Sequence, residues 1–286
     1  MKEVIKCEVL NKEFDDKSKM FAELKANKTQ ILALKQSVIK NSEGVKILPE
    51  LVTKQLENGT IKGKVEFKGD SGYIYPVINT TNLMDSHKDV HFDGIWDKSI
   101  PEQSGKTYYA LNHELEIGKI IGYPKDVEIF THNFTFKELG SNLEGSTQAL
   151  IYKVKLQEYS NKDAVYAIEN KLPVENSIRM AYMKVQMGIN SEEKAYSEEK
   201  AYYDKHIDKI SNKEEVEKDG YFFGVHEARI YKEGSLVLEG SNSVTPVLYA
   251  SEPDKSTHED TQEREKEQAN KQAVQELNEY LKSINL

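Results

Sequence analysis

The stretch V174-E-N-S-I-R-M-A-Y-M-K-V185 lies near the middle of the 286-residue chain, and its alternating apolar side chains predict a β-strand. Ile178, Met180 and Tyr182 would share one face of that strand. Ser177 stands at its start, where a serine is usually a turn or capping residue. The same position also suits a nucleophile, provided that a base from elsewhere in the chain reaches the hydroxyl. Both interpretations stay open at this point.

Short apolar runs of the same kind occur on both sides of this strand, between about residues 72 and 249. Glycine, asparagine and proline separate them, and this spacing predicts a barrel or a folded sheet. The runs are GYIYPVI, VEIFTHNFTF, QALIYKVKL, YFFGVHEARIY and GSLVLEG. A helix is expected over SNKDAVYAIENKL, entered at a Ser160–Asn161 cap and leading directly into the strand with Ser177. The fold class expected is therefore α+β, with a β-barrel-like core flanked by helices.

We expect three regions along the chain. Residues 1–70 form an accessory helical N-terminal region, with a β-like start at Val4–Leu10 and a helical pattern from about Lys17 to Ile39. Residues 71–250 form the main domain, and residues 251–286 form a linker and an amphipathic C-terminal helix. The apolar residues that recur in the N-terminal helical pattern are Phe21, Leu24, Ile31, Leu32, Ala33 and Val38.

A charged insertion interrupts the main domain at about residues 190–219. It contains the sequence SEEKAY twice in tandem, starting at Ser191 and at Ser197. Its charge density predicts a solvated helical insertion or a mobile excursion, with little packing against the core.

The C-terminal helix is predicted from a capping box and an apolar stripe. Ser256 and Glu259 have the spacing of a capping box. A stripe of this kind requires a partner surface, either on this chain or on another one, and we expect a homo-oligomer through this helix. The stripe consists of Ala273, Val274, Leu277, Tyr280, Leu281 and Ile284.

Composition excludes several classes of function. The net charge of −9 argues against a general nucleic-acid binder, which needs a basic surface for phosphate contact. Cys7 is the sole cysteine, so the chain has neither an internal disulfide nor a cysteine-based metal cluster, which fits a reducing cytoplasm. No run approaches the roughly 18 apolar residues of a membrane span, and the start of the chain lacks a signal-peptide pattern. We expect no membrane partner.

A histidine- and aspartate-rich segment, D85-S-H-K-D-V-H-F-D-G94, is the candidate metal site. Its two histidines are four residues apart, as in helical zinc pairs, but the glycine and the lack of an apolar stripe disfavour a helix. A calcium loop is disfavoured because Ile100 stands where a bidentate glutamate is required. We therefore predict a polar loop, no metal and no cofactor. The side chains concerned are Asp85, His87, Asp89, His91 and Asp93.

His113 is the best candidate for a base. It follows the apolar residues Tyr109–Leu111 and precedes an acidic turn and Gly118. A histidine at the end of a strand transfers protons near neutral pH once a nucleophile and an orienting carboxylate come close to it. Ser177 lacks a surrounding G-x-S-x-G motif, which argues against an α/β-hydrolase.

Four segments, taken in order, resemble the phage prohead proteases, the capsid-maturation serine peptidases that are structurally related to herpesvirus assemblin. They cover roughly residues 72–250, with the charged repeat as an insertion. They are DSHKDVHFDGIWDKSI, ALNHELEIGKIIG, NSIRMAYMKV and RIYKEGSLVLEGSNSV. The resemblance lies in a histidine after an asparagine, a serine followed by isoleucine, and a glutamate two residues before Ser-Leu-Val.

The resemblance implies an assemblin-like fold and a set of catalytic residues. Ser177 becomes the nucleophile, His113 the general base and Glu233 the third member of the triad. Assemblins use a second histidine in that third role, so His132 and His226 remain alternatives. By the same resemblance, Arg179 is expected to help stabilise the oxyanion.

The resemblance also implies a substrate and a place of action. The expected activity is a serine endopeptidase that cleaves scaffold and major capsid-protein segments and also itself, inside the immature capsid in the host cytoplasm. The alternative is a head-assembly or scaffolding protein that keeps a protease-like fold without activity, which the acidic insertion and the flanking helices favour.

Overall fold

The computed structural model describes residues 4–37, 39–41, 73–240 and 242–249. Within these ranges the protein is mixed α and β, as the sequence predicts. The strands of the described residues form sheets of two, six and four strands, and none of these sheets closes into a barrel. Open sheets therefore replace the expected barrel-like core. The predicted C-terminal helix, its capping box and its apolar stripe lie outside the described residues.

The elements are as follows. The strands are β1 (Ile5–Cys7), β2 (Lys12–Phe14), β3 (Ile39–Asn41), β4 (Tyr73–Asn79), β5 (Asp89–His91), β6 (Tyr108–Leu111), β7 (Ile120–Gly122), β8 (Val127–Thr135), β9 (Ser146–Lys155), β10 (Glu175–Ile189), β11 (Tyr221–Val237) and β12 (Val247–Tyr249). The helices are α1 (Lys17–Ala26), α2 (Lys28–Ser37), α3 (Ser99–Gln103), α4 (Lys162–Glu169), α5 (Ser197–His206) and α6 (Lys213–Asp219).

The six-stranded sheet is built around the long antiparallel pair β10 and β11. Its order is β3–β10–β11–β6–β7, and β5 pairs with the early part of β11. β6 runs parallel to the last residues of β11. The predicted strand around Ser177 is confirmed, although it extends further, to Ile189. The run predicted as YFFGVHEARIY and the first four residues of the run GSLVLEG form one continuous strand, β11.

The four-stranded sheet packs against the six-stranded one, and the main core lies between them. Its order is β12–β4–β9–β8, with antiparallel neighbours throughout. Tyr152 of β9 meets Tyr109 of β6 edge to face, with ring centroids 6.5 Å apart, and both rings are fully buried. Gly234 of β11 is required at this contact, because a Cβ atom there would lie 2.8 Å from the Tyr152 ring and 3.0 Å from Ile78.

The N-terminal helices share this core. The predicted helix from Lys17 to about Ile39 is two helices, because Asn27 ends α1 by donating from both its backbone and its side-chain amide to the Glu23 carbonyl. Ile39 begins strand β3 instead of continuing α2. The apolar residues Met20, Phe21, Leu24 and Ile31 are buried in the main cluster.

The helix before the Ser177 strand forms as predicted. α4 begins at Lys162, and the Asn161 side chain caps it by accepting from the Ala164 N–H at 2.8 Å. The Ser160 hydroxyl does not cap the helix but donates to the Ile121 carbonyl at 2.6 Å. This bond ties the start of α4 to β7.

The charged insertion is helical, but the expectation that it packs little against the core is wrong. Tyr196, Tyr203, Ile210 and Val216 are buried. The last three belong to a second cluster with Met84, Val90, Phe92 and Phe222. These apolar residues recur every six or seven positions, so the high average charge of the segment conceals apolar side chains that are buried in two clusters.

The segment predicted as a polar loop with the candidate metal ligands contains strand β5, and that prediction is wrong for Asp89–His91. Asp89 is buried in an ion pair with Lys35 and accepts from the Tyr182 hydroxyl at 3.0 Å. His91 lies between Asn79 and Tyr182, at 2.9 Å from each. In the described ranges, no three His, Cys, Asp or Glu side chains are grouped to hold a metal ion.

None of the helices within the described residues is long and apolar enough to cross a bilayer.

Candidate functional site

Three neighbouring strands bring Ser177, His113 and Glu233 into one hydrogen-bonded line. The Ser177 Oγ lies 2.7 Å from His113 Nε2, and His113 Nδ1 lies 2.7 Å from Glu233 Oε1. An ionised carboxylate only accepts hydrogen bonds, so Nδ1 carries the proton and Nε2 is left to accept from the serine hydroxyl. This is the tautomer in which a histidine acts as a base toward serine.

Strand register explains why these residues meet. Ser177 of β10 lies directly opposite Ser235 of β11, so the two side chains point to the same face. Glu233 is two residues from Ser235 and shares that face. The parallel pairing of Leu236 with Leu111 brings the end of β6 to the same place, and His113 follows two residues later.

The backbone at His113 is in an unusual conformation. Asn112 has a φ of 52° and His113 a φ of 60°, so two consecutive residues with side chains are left-handed. Such residues are strained unless neighbouring groups hold them. The Asn112 N–H donates to the Leu236 carbonyl at 2.9 Å, and the His113 N–H donates to the Ser235 hydroxyl at 3.1 Å. The turn that presents the imidazole is therefore anchored to β11.

Glu233 is fully buried, and both of its oxygens have partners. Oε1 lies 2.7 Å from His113 Nδ1 and 3.3 Å from Arg179 Nε, and Oε2 accepts from the Ser235 hydroxyl at 2.6 Å. A buried carboxylate needs such contacts to offset its loss of hydration. Burial, and next the charge of Glu233, raise the pKa of Tyr152 far above its ordinary value, so its hydroxyl stays protonated.

Arg179 lies against the triad from the side of β10. Besides its contact with Glu233, its guanidinium donates to the His113 carbonyl at 2.6 Å. The planar guanidinium thus bridges the base and its carboxylate. Its expected role at an oxyanion stays a prediction.

The nucleophile lies below the surface of the site. Ser177 has no exposed surface, and the His113 side chain is 11% exposed. A peptide carbonyl reaches the serine Oγ only after surrounding groups move aside. The hydrogen-bonded line is thus assembled without a substrate, and access to Ser177 requires movement of the groups around it.

The two alternative histidines lie elsewhere. His132 is on β8 in the four-stranded sheet, where its ring meets Phe134 edge to face. His226 is on β11, with Nε2 2.7 Å from the Tyr202 hydroxyl. The position beside His113 Nδ1 is occupied by Glu233.

Sequence reasoning missed Ser235 and Asn112 as parts of this site. Ser235 stands within the segment that carries Glu233, and its i+2 spacing is the one signal that places both on the same face of a strand. Asn112 is a residue type that tolerates the left-handed region better than most, but this property alone does not predict the conformation.

Comparison of the chain with protein-family models, with curated proteins and with solved structures found no match.

Proposed function

We propose that this protein is a serine endopeptidase of the prohead-protease type. The observation that carries the proposal is the continuous line from Ser177 through His113 to Glu233, with both links at 2.7 Å. Serine is a weak nucleophile unless a base removes its proton and a third group holds that base in the right tautomer. The three side chains have the geometry for these roles.

The reaction follows from the direction of the hydrogen bonds. Ser177 Oγ attacks the carbonyl carbon, its proton passes to His113 Nε2, and the carbonyl π electrons move to the oxygen. As the tetrahedral intermediate collapses, the C–N bond breaks and Nε2 gives the proton to the leaving amine. Water then attacks the acyl-enzyme while His113 Nε2 takes its proton. As the ester C–O bond breaks, Nε2 returns the proton to Ser177 Oγ. Glu233 accepts from Nδ1 and stabilises the imidazolium at each step.

The finer parts of the proposal come from the resemblance to prohead proteases. The order of the histidine, serine and glutamate segments, and the helix α4 just before the serine strand, support an assemblin-like arrangement of the core. Scaffold and capsid-protein segments would then be the substrates, with self-cleavage, inside the immature capsid. The assembly face of the enzyme would be its predicted C-terminal helix.

The complete burial of Ser177 favours a second candidate, a protease-like assembly protein without activity. The two candidates differ in whether the site opens. A closed but competent enzyme reacts with a small fluorophosphonate whenever it opens. At saturating concentrations, two such probes of different size would then reach the same limiting rate. An inactive protein is not labelled at Ser177 at all.

The deciding experiment compares the parent protein with Ser177→Ala. Each is co-expressed with the scaffold and capsid proteins encoded alongside it, and every product is mapped by intact mass. Loss of the nucleophile typically lowers the rate by several orders of magnitude, so we expect processing to stop. Ser104→Ala is the matched control, because Ser104 is exposed on the surface and should process normally. Cleavage that continues unchanged in Ser177→Ala would refute the assignment.

A further inference from the structure

We propose that Ser235 is a positioning residue of the site, which fixes both the carboxylate of Glu233 and the backbone of His113. Its effect on turnover rests on the proposed function, whereas its effect on the imidazole does not. Ser235 is fully buried and touches the catalytic line without belonging to it.

The Ser235 hydroxyl makes two hydrogen bonds, one as a donor and one as an acceptor. The hydroxyl donates to Glu233 Oε2 at 2.6 Å and accepts from the His113 N–H at 3.1 Å. A single oxygen atom thus connects the third member of the triad to the main chain of the base. Hydrogen bonds to a charged group are the stronger kind, and the short bond to Glu233 is one of them.

The first bond fixes the orientation of the carboxylate. Oε1 is the oxygen that faces His113 Nδ1 and Arg179, and Oε2 is the one held by Ser235. Without the bond to Ser235, Oε2 would be a buried acceptor with one partner fewer, and only the contacts of Oε1 would hold the carboxylate. More of the negative charge would then concentrate on Oε1 and bind the imidazolium more tightly.

The second bond fixes the turn. Ser235 holds the N–H of His113 and Arg179 holds its carbonyl, so both polar groups of this left-handed residue are fixed. A residue in that region of the backbone relaxes when its contacts are removed. We therefore expect the imidazole to lose its alignment with Ser177 when the Ser235 hydroxyl is removed, even though no bond to Ser177 is lost.

The experiment compares Ser235→Ala and Ser235→Thr, which keeps a hydroxyl, with the matched control Ser99→Ala. Ser99 is also buried, and its hydroxyl accepts from the Ile230 N–H of the same strand at 2.8 Å, away from the triad. The readouts are kcat and KM on a capsid-protein substrate, and the pKa and tautomer of His113 from an NMR pH titration of the ring nitrogens. Thermal unfolding reports general damage in each variant.

For Ser235→Ala we expect kcat to fall about tenfold to a hundredfold with little change in KM. The ring nitrogens of His113 should titrate differently from those of the parent, with a smaller share of the Nδ1–H tautomer. Ser235→Thr should recover most of the parent's kcat and most of its His113 titration. Ser99→Ala should change only the temperature of unfolding. If Ser235→Ala does not fold, Ser235→Cys, which fills the site with a slightly larger group that donates only weakly, takes its place.

The two proposals fail in different ways. A parent protein that folds but cleaves nothing refutes the proposed function, and the NMR titration of His113 still tests Ser235. An unchanged pKa and tautomer of His113 in Ser235→Ala, or equal changes in Ser99→Ala, would overturn the positioning role.

Discussion

Ser177 and Ser235 face each other across strands β10 and β11, and their hydroxyls contact opposite ends of the same histidine. Ser177 bonds to Nε2 of the His113 ring, while Ser235 accepts from its backbone N–H. The register of one strand pair therefore sets the position of the nucleophile, the base and the carboxylate together. A shift by one residue would move Ser177 and its partners to opposite faces of the sheet.

Glu233→Gln should lower kcat on the order of 10⁴-fold with the fold retained. Glutamine has nearly the same shape, but it lacks the negative charge that holds the Nδ1 proton and stabilises the imidazolium. The cleavage rate of a capsid-protein substrate measures the effect. Glu239→Gln is the matched control, because Glu239 lies six residues further on and is exposed. Equal activity in both variants would mean that Glu233 is a structural residue.

Local patterns predicted the elements that carry the site. The alternation around Ser177 and the cap at Asn161 are encoded in adjacent residues, and both form as predicted. The grouping of His113 with Ser177 and Glu233 came from the order of four segments, since no local rule brings residues 64 and 120 positions apart together.

The predictions that were wrong concern residues whose partners lie far away in the sequence. Asp89 and His91 looked like loop residues because their polarity is visible in the sequence, whereas the Lys35 and Tyr182 groups that allow their burial are distant in the chain. The insertion looked solvated because its charged residues outnumber its few apolar ones. Three of these apolar residues are buried because they pack with Met84, Val90, Phe92 and Phe222.

Gly234→Ala should destabilise the protein by about 1–3 kcal/mol. Its new methyl group would lie 2.8 Å from the Tyr152 ring in a core that has no room for it. The free energy of unfolding from denaturant titration measures the loss. Gly118→Ala is the control, because a Cβ atom there meets nothing within 4 Å and Gly118 is exposed. If both substitutions are equally tolerated, the two sheets are not packed at Gly234 as described.

Acid should loosen the contact between α5 and β11, because His226 is held there in its neutral form. The ring stacks on Phe92 at a centroid distance of 5.2 Å, and its Nε2 lies 2.7 Å from the Tyr202 hydroxyl. Burial raises the pKa of Tyr202, so its hydroxyl stays protonated and donates to an unprotonated Nε2. Burial, and next the nearby His206, lower the pKa of His226 to about 4.

The direction in which stability changes with pH follows from the difference in the pKa of His226 between the folded and unfolded states. The pKa of His226 is about 4 in the folded protein and about 6.5 in the unfolded chain, so the unfolded chain binds the extra proton between these values. The contribution of neutral His226 is therefore complete above about pH 6.5 and is lost as the pH falls toward 4. The pKa of His206 is lowered in the same direction, first by burial. The cations that face His226 and add to its shift are Lys184, Lys205 and Lys209.

His226→Gln tests whether protonation of His226 causes this loss of stability, because glutamine keeps an acceptor for the Tyr202 hydroxyl but does not titrate. The melting temperature of the parent should fall between pH 6.5 and 4 more steeply than that of His226→Gln. The control is His132→Gln, since His132 is exposed on β8 and should leave the pH dependence of the parent unchanged. Parallel curves for the parent and His226→Gln would show that protonation of this histidine does not govern how α5 is held.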